Sequence, residues 1–171
     1  MLLLKLSALF LCIIAAVSDI RSYKVPNILL IVFSAAGLAE QGFLFGKRGL
    51  LNAAGAVLLV FLLLGWLFLF RMLGAGDIKL FAVCGIYTGA KSVLYLMLFS
   101  FIFAGIYALA RMAGKGSLSE RFQALTGYVR ETLRDGFAFR KSYRAGQAEE
   151  HRIFLAFFIF LAMLLWIGGA Y

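Results

Sequence analysis

One proline, one histidine, two cysteines and eight acidic residues are all that 171 residues hold of the groups from which many active sites are built. Each scarcity excludes something. Cys12 and Cys84 lie apart inside apolar runs with no CxxC pair, and His151 is the lone imidazole. A Cys/His zinc cluster is therefore ruled out on ligand count, and no metal or cofactor is expected. Both cysteines read as small buried hydrophobes. No serine or histidine stands in a setting suited to nucleophilic catalysis; His151, at the start of the last apolar run, reads as a structural interfacial residue.

What the chain has in quantity is apolar surface. Hydrophobic residues make up 64% of it, with a mean hydropathy of +0.97, more than a soluble domain of this size can hide. The expectation is an all-α polytopic membrane protein, residues 1–171 forming a single membrane-embedded domain. The first run, 1–17, has only Lys5 as a charged leader and is followed by further spans, so it reads as a retained helix rather than a cleaved signal. Further spans are expected over 28–45, 50–72, 78–90, 92–110 and 153–170, giving about six. The fourth is short: its length of about 20 Å falls below the roughly 30 Å hydrocarbon core.

A net charge of +9 is better explained by basic residues collecting in cytoplasmic loops than by a nucleic-acid partner, and none is expected. With the loops after spans one, three and five on one side, thirteen lysines and arginines fall there and four fall opposite. That side is read as cytoplasmic, with both termini outside. Residues 112–150 form a basic cytoplasmic loop between spans five and six. Within it Ser117-x-x-Glu120 has capping-box spacing. Leu118, Phe122, Leu125, Val129 and Leu133 then recur at helical steps between arginines. An amphipathic helix on the membrane surface is expected there, with anionic lipid as the partner such a helix favours.

Two aspartates stand out against this background. Asp19 ends the first apolar run, and Asp77 follows two glycines in Leu73-Gly74-Ala75-Gly76-Asp77-Ile78-Lys79-Leu80. An ionisable group at the edge of a membrane helix is a functional candidate by default. Gly74 and Gly76 remove side-chain bulk where a substrate backbone would approach. The counted topology puts both carboxylates on the cytoplasmic side, and Glu40 on the other. Two carboxylates in a partly dehydrated site cannot both stay ionised near neutral pH and come to share one proton. One can then accept a proton from water while the other hydrogen-bonds a carbonyl, which hydrolyses a peptide without a covalent intermediate. Taken singly, Asp19 could instead pair with Arg21 or Lys24, and Asp77 could cap the helix it opens.

The segment Ser18-Asp19-Ile20-Arg21-Ser22-Tyr23-Lys24-Val25-Pro26-Asn27 resembles the first motif of type IV prepilin peptidases, and Gly74-Ala75-Gly76-Asp77-Ile78-Lys79 resembles their GxGDxK motif. The likeness covers residues 1 to about 110. It implies a six-span aspartyl peptidase facing the cytoplasm of a prokaryotic inner membrane. Such an enzyme cuts the basic leader from prepilin-like precursors. Asp19 and Asp77 would be the catalytic pair; Gly74 and Gly76 would shape the site, and Lys79, Arg21, Lys24, Pro26 and Asn27 would support it. Larger members carry a CxxC…CxxC region and methylate the new N-terminus. This chain has neither those cysteines nor room for the region, resembles the short form serving Flp-type pili, and is not expected to methylate. The last span also lacks the family's Pro-Tyr/Phe-Gly sequence, reading His151-Arg152-Ile153-Phe154-Leu155, and its preceding loop is long. Both departures bear on substrate choice more than on chemistry. The presenilin-like branch fits poorly, because its Pro-Ala-Leu motif has no counterpart where the only proline is Pro26. Readings from other classes are a membrane subunit using the aspartates as a proton or cation relay, and a secretion-system scaffold. Oligomeric state is not legible.

Overall fold

The computed structural model describes residues 2–22, 25–69, 73–114 and 155–169, which form helices joined by short connections. In chain order these are α1 (Leu2–Ser22), α2 (Asn27–Leu69), α3 (Ala75–Thr88), α4 (Ala90–Gly114) and α5 (Leu155–Ile167). No strand occurs among the described residues. Three helices are long and apolar enough to cross a membrane, over Leu3–Arg21, Asn27–Phe68 and Ala90–Arg111, and Leu155–Ile167 is a shorter apolar helix. The protein is an all-helical integral membrane protein. The expected amphipathic helix in 112–150 falls almost wholly outside the described residues, as do Lys24 and His151.

Several boundaries differ from those expected. The first helix does not stop at residue 17 but runs on to Ser22, so Asp19 sits inside its last turn. The second and third spans are one element, α2, broken only at Gly46 (φ 59°, ψ −142°). That positive φ favours glycine, and it folds the two arms back on each other. A Cβ built at Gly49 would lie 2.5 Å from the carbonyl oxygen of Gln41, an approach only a hairpin allows. The helix at the place of the expected fourth span starts before Ile78, at Ala75, and Gly89 (φ 83°) separates it from α4.

The chain divides into two compact units. The larger contains 1–103 and 154–171, and in it α3 is the central element. Leu80 through Tyr87 are buried without interruption, together with Ile78. A helix apolar all round is either enclosed by protein or set in lipid, and the burial of these residues shows that α3 is enclosed. Both arms of α2 enclose it. Gly37 lies against Tyr87 and Ile86, while Ala56 lies against Gly85. Tyr87 donates its hydroxyl to the Phe33 carbonyl at 2.7 Å, and Gln41 Nε2 donates to the Ile86 carbonyl at 2.8 Å. Buried polar groups are as a rule paired in this way. Cys12 of α1 and Cys84 of α3 are buried with their sulfurs 3.7 Å apart, which fits their reading as small core residues. In the second unit, 104–153, the described part is the C-terminal stretch of α4 from Ala104 to Gly114.

Gly49 offers a direct test of the hairpin. Gly49→Ala should destabilise the protein by about 1–3 kcal/mol, the usual effect of overpacking against backbone. Gly55→Ala, where an added Cβ meets nothing within 4 Å, should be neutral or stabilising. Thermal unfolding of the two variants in detergent would show the contrast; equal melting temperatures would contradict the close approach at Gly49.

Candidate active site

Three helix ends converge where the two aspartates lie. Asp19 is in the last turn of α1, Asp77 is in the first turn of α3, and Ala156 is the second residue of α5. Asp19 Oδ2 accepts a hydrogen bond from the backbone N–H of Ala156 at 3.3 Å. The start of α5 is a region of free N–H groups and positive partial charge, so it holds the Asp19 carboxylate by backbone alone. Sequence reasoning missed this partner, and the reason is physical: a main-chain donor at a helix start leaves no mark in the residue type.

Asp77 is held differently. Gly74 is the N-cap of α3, with extended backbone and no side-chain cap (φ −73°, ψ 143°). The N–H groups of Asp77 and Ile78 both donate to the Gly74 carbonyl, at 3.2 and 3.4 Å. In return the Asp77 carboxylate accepts from the Gly74 N–H, the reach-back of a capping box without its other half. The helix-capping alternative is thus partly realised, in the same side chain that feels the charge of Asp19. A Cβ at Gly74 would sit 3.0 Å from Asp77 Oδ2, whereas one at Gly76 would meet nothing within 4 Å. Gly74 therefore makes room for the carboxylate itself, and Gly76 leaves open space beside it.

Asp77 lies in the first turn of α3, ahead of the apolar stretch that begins at Ile78. Its pKa is pushed from the ordinary 3.8 up to about 6, first by burial and next by the charge of Asp19, against the lowering hydrogen bond from Gly74. The two carboxylates, 58 positions apart in sequence, are therefore within electrostatic reach of each other. Among the other sequence-selected residues, Lys79 Nζ donates to Asn27 Oδ1 at 3.2 Å, tying the start of α3 to the start of α2. The Pro26 carbonyl accepts from Leu30 N–H at 3.5 Å and so begins α2. Arg21 is exposed, and among the described residues it makes no hydrogen bond or ion pair to either aspartate. Glu40 is not with them either. It accepts from Ser7 Oγ at 2.7 Å, about 18 Å along α1 from Asp19 at 1.5 Å per residue. It is half-buried near the start of α1, away from the aspartates.

Residues 6–109 match the model of the type IV leader peptidase family. The chain belongs to that family. It is also 36% identical over 114 residues to the prepilin leader peptidase/N-methyltransferase of Bacillus subtilis (strain 168), an alignment covering 65% of this chain and 45% of that protein. The chain thus spans under half the length of this curated relative. No solved structure matches it. The matched region includes both aspartates, Gly74, Gly76, Lys79 and the segment from Arg21 to Asn27.

The elevated pKa of Asp77 has a consequence for stability. A carboxyl with a native pKa above its unfolded value binds its proton more tightly in the folded state. Its contribution is greatest at acid pH and is lost as pH rises from about 4 through about 6. Asp77→Asn should therefore become more stabilising relative to wild type across that window, by up to roughly 3 kcal/mol at 1.36 kcal/mol per pKa unit. Melting temperatures of both proteins at pH 4, 5, 6 and 7 would check this; a difference constant with pH would contradict it.

Proposed function

We propose that the protein is a membrane aspartyl endopeptidase that removes the basic leader from type IV prepilin-like precursors at the cytoplasmic membrane face. The observation that supports the reading is that Asp77 lies within electrostatic reach of Asp19, with a separate backbone donor for each, in a chain of the type IV leader peptidase family. One carboxylate of the pair, ionised, takes a proton from a water molecule as that water attacks the scissile carbonyl. The other, protonated, donates a hydrogen bond to the carbonyl oxygen, where negative charge develops. Collapse of the tetrahedral intermediate passes a proton to the leaving amine and returns the pair to one shared proton. Gly74 and Gly76 keep the approach open, and the Lys79–Asn27 hydrogen bond holds the two motif segments in register. Arg21 and Lys24 belong to the same cytoplasmic segment.

The reading includes about six membrane passages, with α2 crossing twice through its break at Gly46, both termini outside and the basic 112–150 segment inside. The precursor's hydrophobic segment follows its leader directly, so cleavage at a helix-end site in the membrane suits that substrate. Peptidase activity is proposed without N-methylation and without a metal. The relay reading would have to join the aspartates to Glu40, which is held by Ser7 about 18 Å along α1 from Asp19 at 1.5 Å per residue. Between the levels of Ser7 and Asp19, α1 presents buried Leu11, Cys12, Ala15 and Ala16, and these give a proton no carrier.

Asp19→Asn and Asp77→Asn should each lower cleavage of a prepilin-like precursor by at least about a hundredfold, the lower range for a lost acid–base group. Circular dichroism and elution volume should stay unchanged. Purified protein in detergent, a precursor with a basic leader and a gel readout suffice. Full turnover by either variant would contradict the assignment.

A further inference from the structure

At the end of the bundle away from the carboxylates lies a cavity of about 340 Å³, within the range of small-molecule sites. Its walls include Lys5, Arg48, Asn52 and Trp166, and no acidic residue lines it. Lys5 lies about 21 Å along α1 from Asp19 at 1.5 Å per residue, so this site and the peptidase site are separate. Lys5 Nζ donates to the Ile167 carbonyl at the end of α5 at 3.1 Å, and lies 5.6 Å from the centre of the Trp166 ring. An ammonium has three donors, and that bond uses one. Arg48 is exposed and has no hydrogen bond or ion pair among the described residues. Asn52 Oδ1 accepts from the Ala90 N–H at 3.2 Å, which leaves its NH2 group as a donor. Glu40 does not line the cavity, and its carboxylate accepts from Ser7 Oγ.

Two cations and an amide donor around one acid-free cavity form an anion site. The walls continue into exposed apolar side chains, among them Leu3, Leu44 and Phe45, and tryptophan is a residue of the membrane–water interface. A soluble anion would leave that apolar rim unused. We propose that this cavity binds the phosphate headgroup of an anionic phospholipid, with Lys5, Arg48 and Asn52 as donors and the acyl chains along the rim. The inference depends neither on the peptidase reading nor on which face is outside.

The test uses the full chain, delipidated in non-ionic detergent, with short-chain phosphatidylglycerol and phosphatidylcholine as probes and native mass spectrometry as readout. Wild type should retain phosphatidylglycerol at least fivefold over phosphatidylcholine. Arg48→Gln and Lys5→Gln/Arg48→Gln should remove one bound phosphatidylglycerol, Arg48→Lys should partly restore it, and Lys47→Gln/Lys91→Gln should leave it. The last pair changes basic residues that do not line the cavity, and so separates the site from general attraction to a basic protein. Arg48→Gln alters an exposed side chain and leaves the Lys5 bond to α5, so loss of fold does not obscure the result. Equal retention of both lipids, unchanged phosphatidylglycerol in the double variant, or displacement by equimolar inorganic phosphate would overturn the proposal.

Discussion

The enclosure of α3 is the constraint on which the rest of the larger unit depends. With nine of its 14 residues buried, α3 is surrounded by protein on most of its sides. The two arms of α2 do so because Gly46 lets them fold back, and Tyr87 and Gln41 fix the level at which α3 sits. With that level fixed, the start of α3 meets the end of α1 and the start of α5. Asp77 is thus carried to Asp19 by apolar packing remote from either carboxylate.

That arrangement explains how two acids can be kept together. Like charges brought close in a partly dehydrated place oppose one another, and the cost is met by backbone donors: the Gly74 N–H for Asp77 and the Ala156 N–H for Asp19. Neither donor belongs to a cation, so neither neutralises the site outright. One carboxyl is left inclined to hold its proton near neutral pH, the condition that acid–base hydrolysis requires. Lys79 supplies the nearest positive charge along α3, and it is engaged with Asn27.

Much of this was legible in the chain. Runs of apolar residues reveal helices because the bilayer demands length and hydrophobicity together, and Asp19 and Asp77 stand out because acids are rare among such runs. The family motifs lie where the match to the leader peptidase family lies. What was not legible involves backbone. Gly46 is one glycine among 18, and only its φ shows that it turns the chain. The extension of α1 past residue 17 follows from polar residues that continue a helix without being apolar. Ala156 matters through its N–H. The Ser7 hydroxyl that meets Glu40 was likewise not legible, and a single hydrogen bond offsets the burial of that carboxylate only in part: its Oε2 is buried without a partner.

The central claim is that Asp19 and Asp77 act as one acid–base unit sharing a proton. The pH dependence of kcat/KM for leader cleavage tests it most directly, because that ratio reports the ionisations of the free enzyme. A pair that must hold one proton is inactive when it holds two and when it holds none, so the account predicts a bell with two limbs belonging to the pair. The upper limb should arise from a carboxyl, not from a histidine, and should persist in His151→Gln. A rate governed by a single ionisation, or one unchanged between pH 4 and 9, would contradict the shared-proton account.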